Sequence, residues 1–218
     1  MVKMISSLQN PLIKNLLLLQ EKPRERKEQN LIVIEGVREI GLALAAGWIV
    51  SELFYCNELI SDDDLNKMIA LSTSPLNLTE VPKTIYNRIA YRKDHGGAIA
   101  LANPRRLLFN DLKLKTSPLL LVLESVEKPG NLGALLRTAD AANLDAVIIC
   151  DPQTDIYNPN AIRSSIGCIF TMPVVTSTTS ETIEWFKSKN IRTFSTALTA
   201  TSFYHETDLS GPTAIIMG

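Results

Sequence analysis

The sequence predicts an α/β fold in which short apolar strands alternate with amphipathic helices. The main observation is a strand–helix–strand pattern, in which apolar runs at residues 119–123 and 146–150 flank a helical stretch. The same alternation recurs in residues 31–102 and again in residues 172–217. Because neighbouring strands joined by a helix run parallel, we expect a mainly parallel sheet in the second half.

The helix between those first two strands is predicted to have an apolar and a polar side. Its apolar positions follow helical spacing and are Leu132, Leu135, Leu136, Ala139 and Ala142. We expect Asn131 to cap its start and Asn143 to close it in a left-handed turn. Gly133, Arg137 and Asp140 fall on an exposed side, where Asp140 can hold the Arg137 guanidinium. On spacing alone, a capping Asn and a solvated ion pair also explain these residues.

The composition limits the class of protein. Of the 218 residues, 45% are hydrophobic, which is enough for folded cores, and no apolar run is long enough to span a membrane. Residues 1–7 lack an apolar signal region, and the three cysteines form neither a metal spacing nor an even disulfide set. These features favour a cytoplasmic protein without a metal site.

The charge is uneven along the chain. The net charge is −1, but residues 1–115 sum to +3 and residues 116–218 to −4. This distribution argues against general coating of nucleic acid and favours local phosphate contact. The charged connection at residues 21–30 contains Arg24 and Arg26 and is either a solvated loop or an RNA contact.

Two domains are predicted from the pattern of elements. Residues 1–103 are expected to form a small α/β/α sandwich, and residues 118–218 a parallel α/β domain. Residues 104–117 carry Pro104, Arg105 and Arg106 and are predicted to be the linker.

The stretch at residues 128–139, Lys-Pro-Gly-Asn-Leu-Gly-Ala-Leu-Leu-Arg-Thr-Ala, closely resembles the first motif of the SpoU-type (TrmH-like) RNA ribose 2′-O-methyltransferases. That family belongs to the knotted SPOUT superfamily. Residues 155–174 resemble its next segment, and residues 7–14 and 34–38 resemble its small substrate-binding domain. The resemblance covers nearly the whole chain. It implies S-adenosylmethionine as methyl donor, rRNA or tRNA as partner, and a homodimer for the full-length form.

The resemblance also implies roles for individual residues. Arg137 would be the catalytic group that activates the ribose hydroxyl, and Asn131 would position the ribose or its phosphate. RNA contacts are expected, from the resemblance or from local charge, at Lys14, Arg24, Arg26, Lys93, His95, Arg163 and Ser165. Donor contacts are expected at Thr196, Ala197, Met217 and Gly218.

Residues 214–218 resemble the beginning of the family's second motif, and the later motifs are absent from this sequence. We therefore expect a C-terminally truncated, unknotted chain with an incomplete donor site, weak donor binding, no turnover and weakened dimerisation. A non-catalytic RNA-binding protein is the alternative, and it would bind RNA without the donor. An α/β enzyme with a nucleotide cofactor is the other alternative, but the sequence has neither GxGxxG nor GxxxxGK[ST].

Overall fold

The computed structural model describes residues 3–91 and 96–218. Its contacts divide the chain into two units, each with its own sheet. Unit 1 comprises Met1–Arg105 and Tyr157–Thr171, and unit 2 comprises Arg106–Ile156 and Met172–Gly218. The predicted α/β class is confirmed. No helix in the described residues is long and apolar enough to cross a membrane.

Unit 1 is built on a mixed five-stranded sheet. Its strands are β1 (Lys3–Met4), β2 (Ile32–Glu35), β3 (Val50–Tyr55), β4 (Asn77–Glu80) and β5 (Ala98–Ala102). They lie in the order β1-β4-β3-β5-β2, in which β1, β4 and β3 are parallel and β5 is antiparallel to both of its neighbours. The helices of this part are α1 (Pro11–Glu21), α2 (Pro23–Gln29), α3 (Val37–Ala45), α4 (Asp62–Leu71) and α5 (Lys83–Ile89).

Helix α1 shows how the local sequence builds this unit. The Asn10 side chain accepts a hydrogen bond from the Leu12 N–H, and Pro11 occupies the first helical position. Its buried side chains are Ile13, Leu16 and Leu19. They pack with Phe54 and Tyr86 in the core that covers one face of the sheet. The spacing of the leucines therefore determines which side of α1 is buried.

Helix α2 lies where the sequence predicted an irregular charged connection, so that prediction is wrong. Pro23 starts the helix, and Asn30 ends it in a left-handed conformation with φ of 52°. Pro and Asn favour these two positions. The helix has a single buried residue, Arg26. It therefore lacks the apolar stripe from which a helix is predicted in a sequence.

Unit 2 is built on a wholly parallel five-stranded sheet. Its strands are β6 (Leu119–Glu124), β7 (Ala146–Cys150), β8 (Val174–Ser177), β9 (Arg192–Ser195) and β10 (Thr213–Met217). They lie in the order β8-β7-β6-β10-β9. Helix α6 (Pro129–Ala141) connects β6 to β7, as the strand–helix–strand pattern predicted, and Asn143 has the expected left-handed conformation. After α7 (Pro159–Ser165) and α8 (Cys168–Thr171), helix α9 (Thr179–Lys189) connects β8 to β9.

Helices α7 and α8 pack in unit 1, although β7 and β8, the strands before and after them, belong to unit 2. The Trp48 indole N–H donates to the Phe170 carbonyl at 3.0 Å, and the two rings meet edge to face. Gly167, with φ of +86°, lies so close to Leu42 that a Cβ atom would come within 2.6 Å of Leu42 Cδ1. This segment is thus part of the unit 1 core.

Candidate active site

An open cleft of about 310 Å³ lies at the carboxyl ends of β6 and β10 in unit 2. The strand order reverses between these two strands, because β7 and β8 continue on one side of β6 while β10 and β9 lie on the other. Open α/β sheets bind ligands at such a switch point. The cleft is lined by Leu123, Glu124, Ser125, Val126, Glu127, Lys128, Asn131, Leu135, Met217 and Gly218.

Asn131 lies on the wall of this cleft, but it does not cap α6. The helix begins at Pro129, Lys128 occupies the cap position, and no side chain accepts a capping hydrogen bond. Asn131 is instead within the first turn, where its backbone N–H donates to the Lys128 carbonyl at 3.0 Å. The predicted cap is therefore wrong. The Asn131 side chain is exposed and makes no capping hydrogen bond to α6.

Arg137 and Asp140 are exposed on α6, whereas Leu132, Leu136 and Ala139 are buried. Two details of the predicted polar side are wrong. Gly133 is buried rather than exposed. Arg137 and Asp140 are not among the ion pairs found in the described residues. Arg137 follows Asn131 by six positions, which corresponds to about 9 Å along a helix axis. Arg137 is not among the residues that line the cleft of this chain.

Two of the four expected donor contacts lie on the cleft wall. Met217 and Gly218 line the cleft at the end of β10. Thr196 follows β9, which lies on the far side of β10 from β6, and donates through its N–H and its hydroxyl to the Ile216 carbonyl at 3.0 and 3.2 Å. Ala197 is exposed beside it and does not line the cleft.

The acidic side of the cleft was not predicted. The Ser125 hydroxyl donates to Glu124 Oε1 at 2.5 Å, and Ser125 has a left-handed φ of 50° that turns the chain at the end of β6. A carboxylate oxygen in a cleft accepts hydrogen bonds from ammonium and hydroxyl donors of a ligand. The signal in the sequence was an acidic residue directly after a buried apolar run, at the position where ligands meet a parallel sheet.

Asp151 organises the neighbouring strand end. Its Oδ2 atom accepts hydrogen bonds from the N–H and the hydroxyl of Thr179 at 2.9 and 2.8 Å, and these bonds hold the pKa of Asp151 below its ordinary value. Glu181 accepts from the Thr178 N–H and the Ser177 hydroxyl, which lowers its pKa as well. Both carboxylates thus fix the start of α9 at the carboxyl edge.

Three of the expected RNA contacts are exposed in unit 1. Lys14 lies on the solvent side of α1. Arg24 lies on α2 and pairs with Glu28 at 2.6 Å, although its side chain is 85% exposed. Arg163 lies on α7 and, with Glu35 and Tyr91, lines a small surface pocket.

Two other residues expected to contact RNA, Arg26 and Ser165, are buried, so those two predictions are wrong. Arg26 Nη1 donates to the Leu19 carbonyl at 2.5 Å and to the Gln20 carbonyl at 3.1 Å, at the end of α1. The Ser165 hydroxyl donates to the Ile162 carbonyl at 2.7 Å. Both side chains are occupied inside unit 1 and are not available to RNA. The remaining two candidates, Lys93 and His95, lie outside the described residues.

Comparison with known proteins gives a family for each part of the chain. Residues 118–218 match the SpoU rRNA Methylase family, and residues 10–100 match the MRM3-like substrate binding domain. The 23S rRNA (guanosine(2553)-2′-O)-methyltransferase RlmP of Bacillus subtilis is 31% identical over 223 residues, which cover 100% of this chain and 82% of that protein.

Solved structures agree with these matches. An RNA 2′-O ribose methyltransferase superposes with a TM-score of 0.83 and 33% identity, covering 99% of this chain and 81% of that one. The AdoMet-bound rRNA methyltransferase from Sinorhizobium meliloti superposes with a TM-score of 0.89 and 26% identity, covering 100% of this chain and 81% of that one.

Unit 2 is thus a parallel α/β domain with a ligand cleft at its switch point, in a chain with a second, mixed-sheet unit. Together with the similarity over the full length of this chain, these features show that it belongs to the SpoU rRNA methylase family. The resemblance drawn from residues 128–139 is confirmed.

Proposed function

We propose that this protein transfers a methyl group from S-adenosylmethionine to a ribose 2′-hydroxyl of ribosomal RNA. The proposal is based mainly on the cleft at the β6–β10 switch point, which is lined by Asn131, Met217 and Gly218. This cleft lies in the part of the chain that matches the SpoU family. Relatives named as 23S rRNA 2′-O-methyltransferases support ribosomal RNA as the substrate.

The cleft suits the donor in size and in chemistry. Its volume of about 310 Å³ is at the lower end of small-molecule sites. A Cβ atom on Gly218 would come within 3.2 Å of Glu124, so the glycine keeps this part of the cleft open. The Glu124 carboxylate can accept hydrogen bonds from the ammonium or ribose hydroxyls of the donor.

S-adenosylmethionine supplies an electrophilic methyl group on a sulfonium, and its transfer to the 2′-oxygen yields S-adenosylhomocysteine, the methylated ribose and a proton. In this proposal the exposed Asn131 amide hydrogen-bonds the ribose or its phosphate and so orients the hydroxyl. Orientation of this kind acts by holding the attacking oxygen near the methyl carbon.

Arg137 is proposed to stabilise the negative charge that develops on the 2′-oxygen. A guanidinium keeps its proton at neutral pH, so it acts as a hydrogen-bond donor rather than as a base. The proton of the hydroxyl passes to the neighbouring RNA phosphate or to water. Arg137 is exposed and lies outside the cleft wall, so it meets RNA that is held on the outer face of α6.

Incubation of the purified protein with methyl-labelled S-adenosylmethionine and 23S rRNA tests the proposal. We expect label in the RNA that resists alkaline hydrolysis at one bond, because a methylated 2′-oxygen cannot attack its phosphate. Label in RNA that stays fully sensitive to alkali would place the methyl group elsewhere and would overturn the proposed reaction.

A further inference from the structure

A second groove, of about 320 Å³, lies at the opposite edge of the unit 2 sheet. Pro118, Ile191 and Pro212 line it, and they directly precede β6, β9 and β10. These strands are parallel, and Thr213 pairs in register with both Leu119 and Arg192. The three strand starts therefore lie at one edge. We call this feature the amino-edge groove, lined by Phe109, Lys115, Pro118, Trp185, Lys189 and Pro212 among others.

The amino-edge groove has an aromatic wall. The rings of Phe109 and Trp185 are stacked, with centroids 4.5 Å apart and planes inclined by 16°. Both side chains are half-buried, and both pack against the core cluster that includes Leu120 and Phe186. A wall anchored in this way loses little conformational freedom when a flat ligand stacks on it.

Two lysines, Lys115 and Lys189, line the groove, and they lie in the most basic segments of an acidic unit. Unit 2 has eight Lys and Arg against eleven Asp and Glu, yet six of its basic residues lie within residues 106–117 and 187–192. Lys189 follows Trp185 by four residues on α9, so the two share one face of the helix. No ion pair involves Lys189 within the described ranges. Lys115 pairs with the buried Asp145 carboxylate at 3.3 Å, but its side chain is still 60% exposed.

We propose that the amino-edge groove binds a single-stranded stretch of the RNA substrate, with a base against the Phe109–Trp185 wall and phosphates near Lys115 and Lys189. Aromatic faces stack on any base, and lysines contact phosphate, so the two features together fit a nucleotide chain. The identity of the RNA rests on the proposed function, whereas the groove itself lies at the other end of the strands from the cleft.

Fluorescence anisotropy with a labelled single-stranded RNA oligonucleotide tests the proposal. Lys189→Glu should weaken binding about tenfold and should lower the slope of log affinity against log salt by about one. Lys187→Glu is the matched control, because it makes the same charge change on the same helix but does not line the groove. We expect it to weaken binding by less than about threefold.

A second variant examines the aromatic wall. Phe109→Leu keeps an apolar contact with the core but removes the ring, so RNA binding should weaken while the salt slope stays unchanged. Equal effects of Lys187→Glu and Lys189→Glu would overturn the proposal, since net charge alone would then explain binding. A poly-glutamate peptide that displaces the RNA when both are present at the same concentration would also overturn the proposal. That result would indicate an acidic protein as the partner of the groove.

The outcome is separable from that of the proposed function. If the protein methylates rRNA but the two lysine variants bind RNA alike, only the groove assignment fails. If methyl transfer is absent but Lys189→Glu alone weakens RNA binding, the groove assignment stands and the proposed reaction fails.

Discussion

A Cβ atom on Gly218 would come within 3.2 Å of both the Cβ and the Oε2 atoms of Glu124. Glu124 ends β6 and Gly218 directly follows the neighbouring strand β10, and both residues line the cleft. Gly218→Ala should therefore displace the Glu124 carboxylate and weaken S-adenosylmethionine binding about tenfold, equivalent to about 1.4 kcal/mol.

Isothermal titration calorimetry checks this prediction. Gly41→Ala is the control, because a Cβ atom there would meet nothing within 4 Å and Gly41 lies in unit 1. Equal donor affinity of the Gly218→Ala variant and the unmodified protein would remove this glycine from the donor site.

Arg137→Ala should abolish methyl transfer while leaving stability within about 0.5 kcal/mol, because the side chain is exposed on α6. Arg137→Lys should not restore activity, since the planar fork of donors is lost. Initial rates and thermal denaturation measure the two effects. Lys187→Ala is the control, because it removes an exposed cation from the same unit, and it should retain activity. Near-normal turnover of the Arg137→Ala variant would exclude Arg137 from the mechanism.

Arg26→Gln should destabilise the protein by about 1.5–3 kcal/mol, because the buried guanidinium donates to carbonyls at the end of α1. Arg24→Gln is the matched control two residues earlier on the same helix. Its surface pair with Glu28 should contribute no more than about 1 kcal/mol. Urea denaturation gives both values, and equal losses would show that burial of Arg26 does not matter.

The double variant Asp151→Asn, Glu181→Gln should flatten the acid dependence of stability. Hydrogen bonds lower the pKa of both carboxylates below their ordinary values of 3.8 and 4.5. Their contribution to the free energy of unfolding is therefore fully present above about pH 4.5. It is lost as the pH falls through the pKa values of the two groups in the folded protein. Melting temperatures between pH 7 and pH 3 should fall less steeply in the double variant. Glu184→Gln, on the same helix, should retain the steep fall; a similar fall in all three proteins would refute this assignment.

The sequence predicted elements that rest on local periodicity. Strands β6 (Leu119–Glu124) and β7 (Ala146–Cys150) coincide with the apolar runs predicted at residues 119–123 and 146–150, because an apolar run is a local signal. The cleft was only partly predictable. Asn131 was identified from its motif, whereas Glu124 approaches Gly218 only because β10 pairs with β6 across about 90 residues.

Other features depend on long-range packing that no local pattern reveals. Arg26 looks like a surface charge in a polar stretch, but the end of α1 buries it. Residues 157–171 follow a unit 2 strand in sequence, yet Trp48 and Leu42 hold them in unit 1. The expected weakness of dimerisation and of donor binding in this chain stay predictions, which sedimentation and calorimetry can measure. The expected lack of turnover is also untested; the proposed function takes the opposite position, and the methyl-transfer assay decides between the two.

The position of the transferred methyl group distinguishes ribose 2′-O-methylation from methylation of a base. The purified protein would be incubated with S-adenosylmethionine and 23S rRNA, and the RNA digested to nucleosides for mass spectrometry. We predict one nucleoside whose added 14 mass units, the replacement of a hydrogen by a methyl group, remain on the ribose fragment after cleavage of the glycosidic bond. A methyl group on the base fragment, or no methylation that depends on the protein, would show that the proposed reaction is wrong.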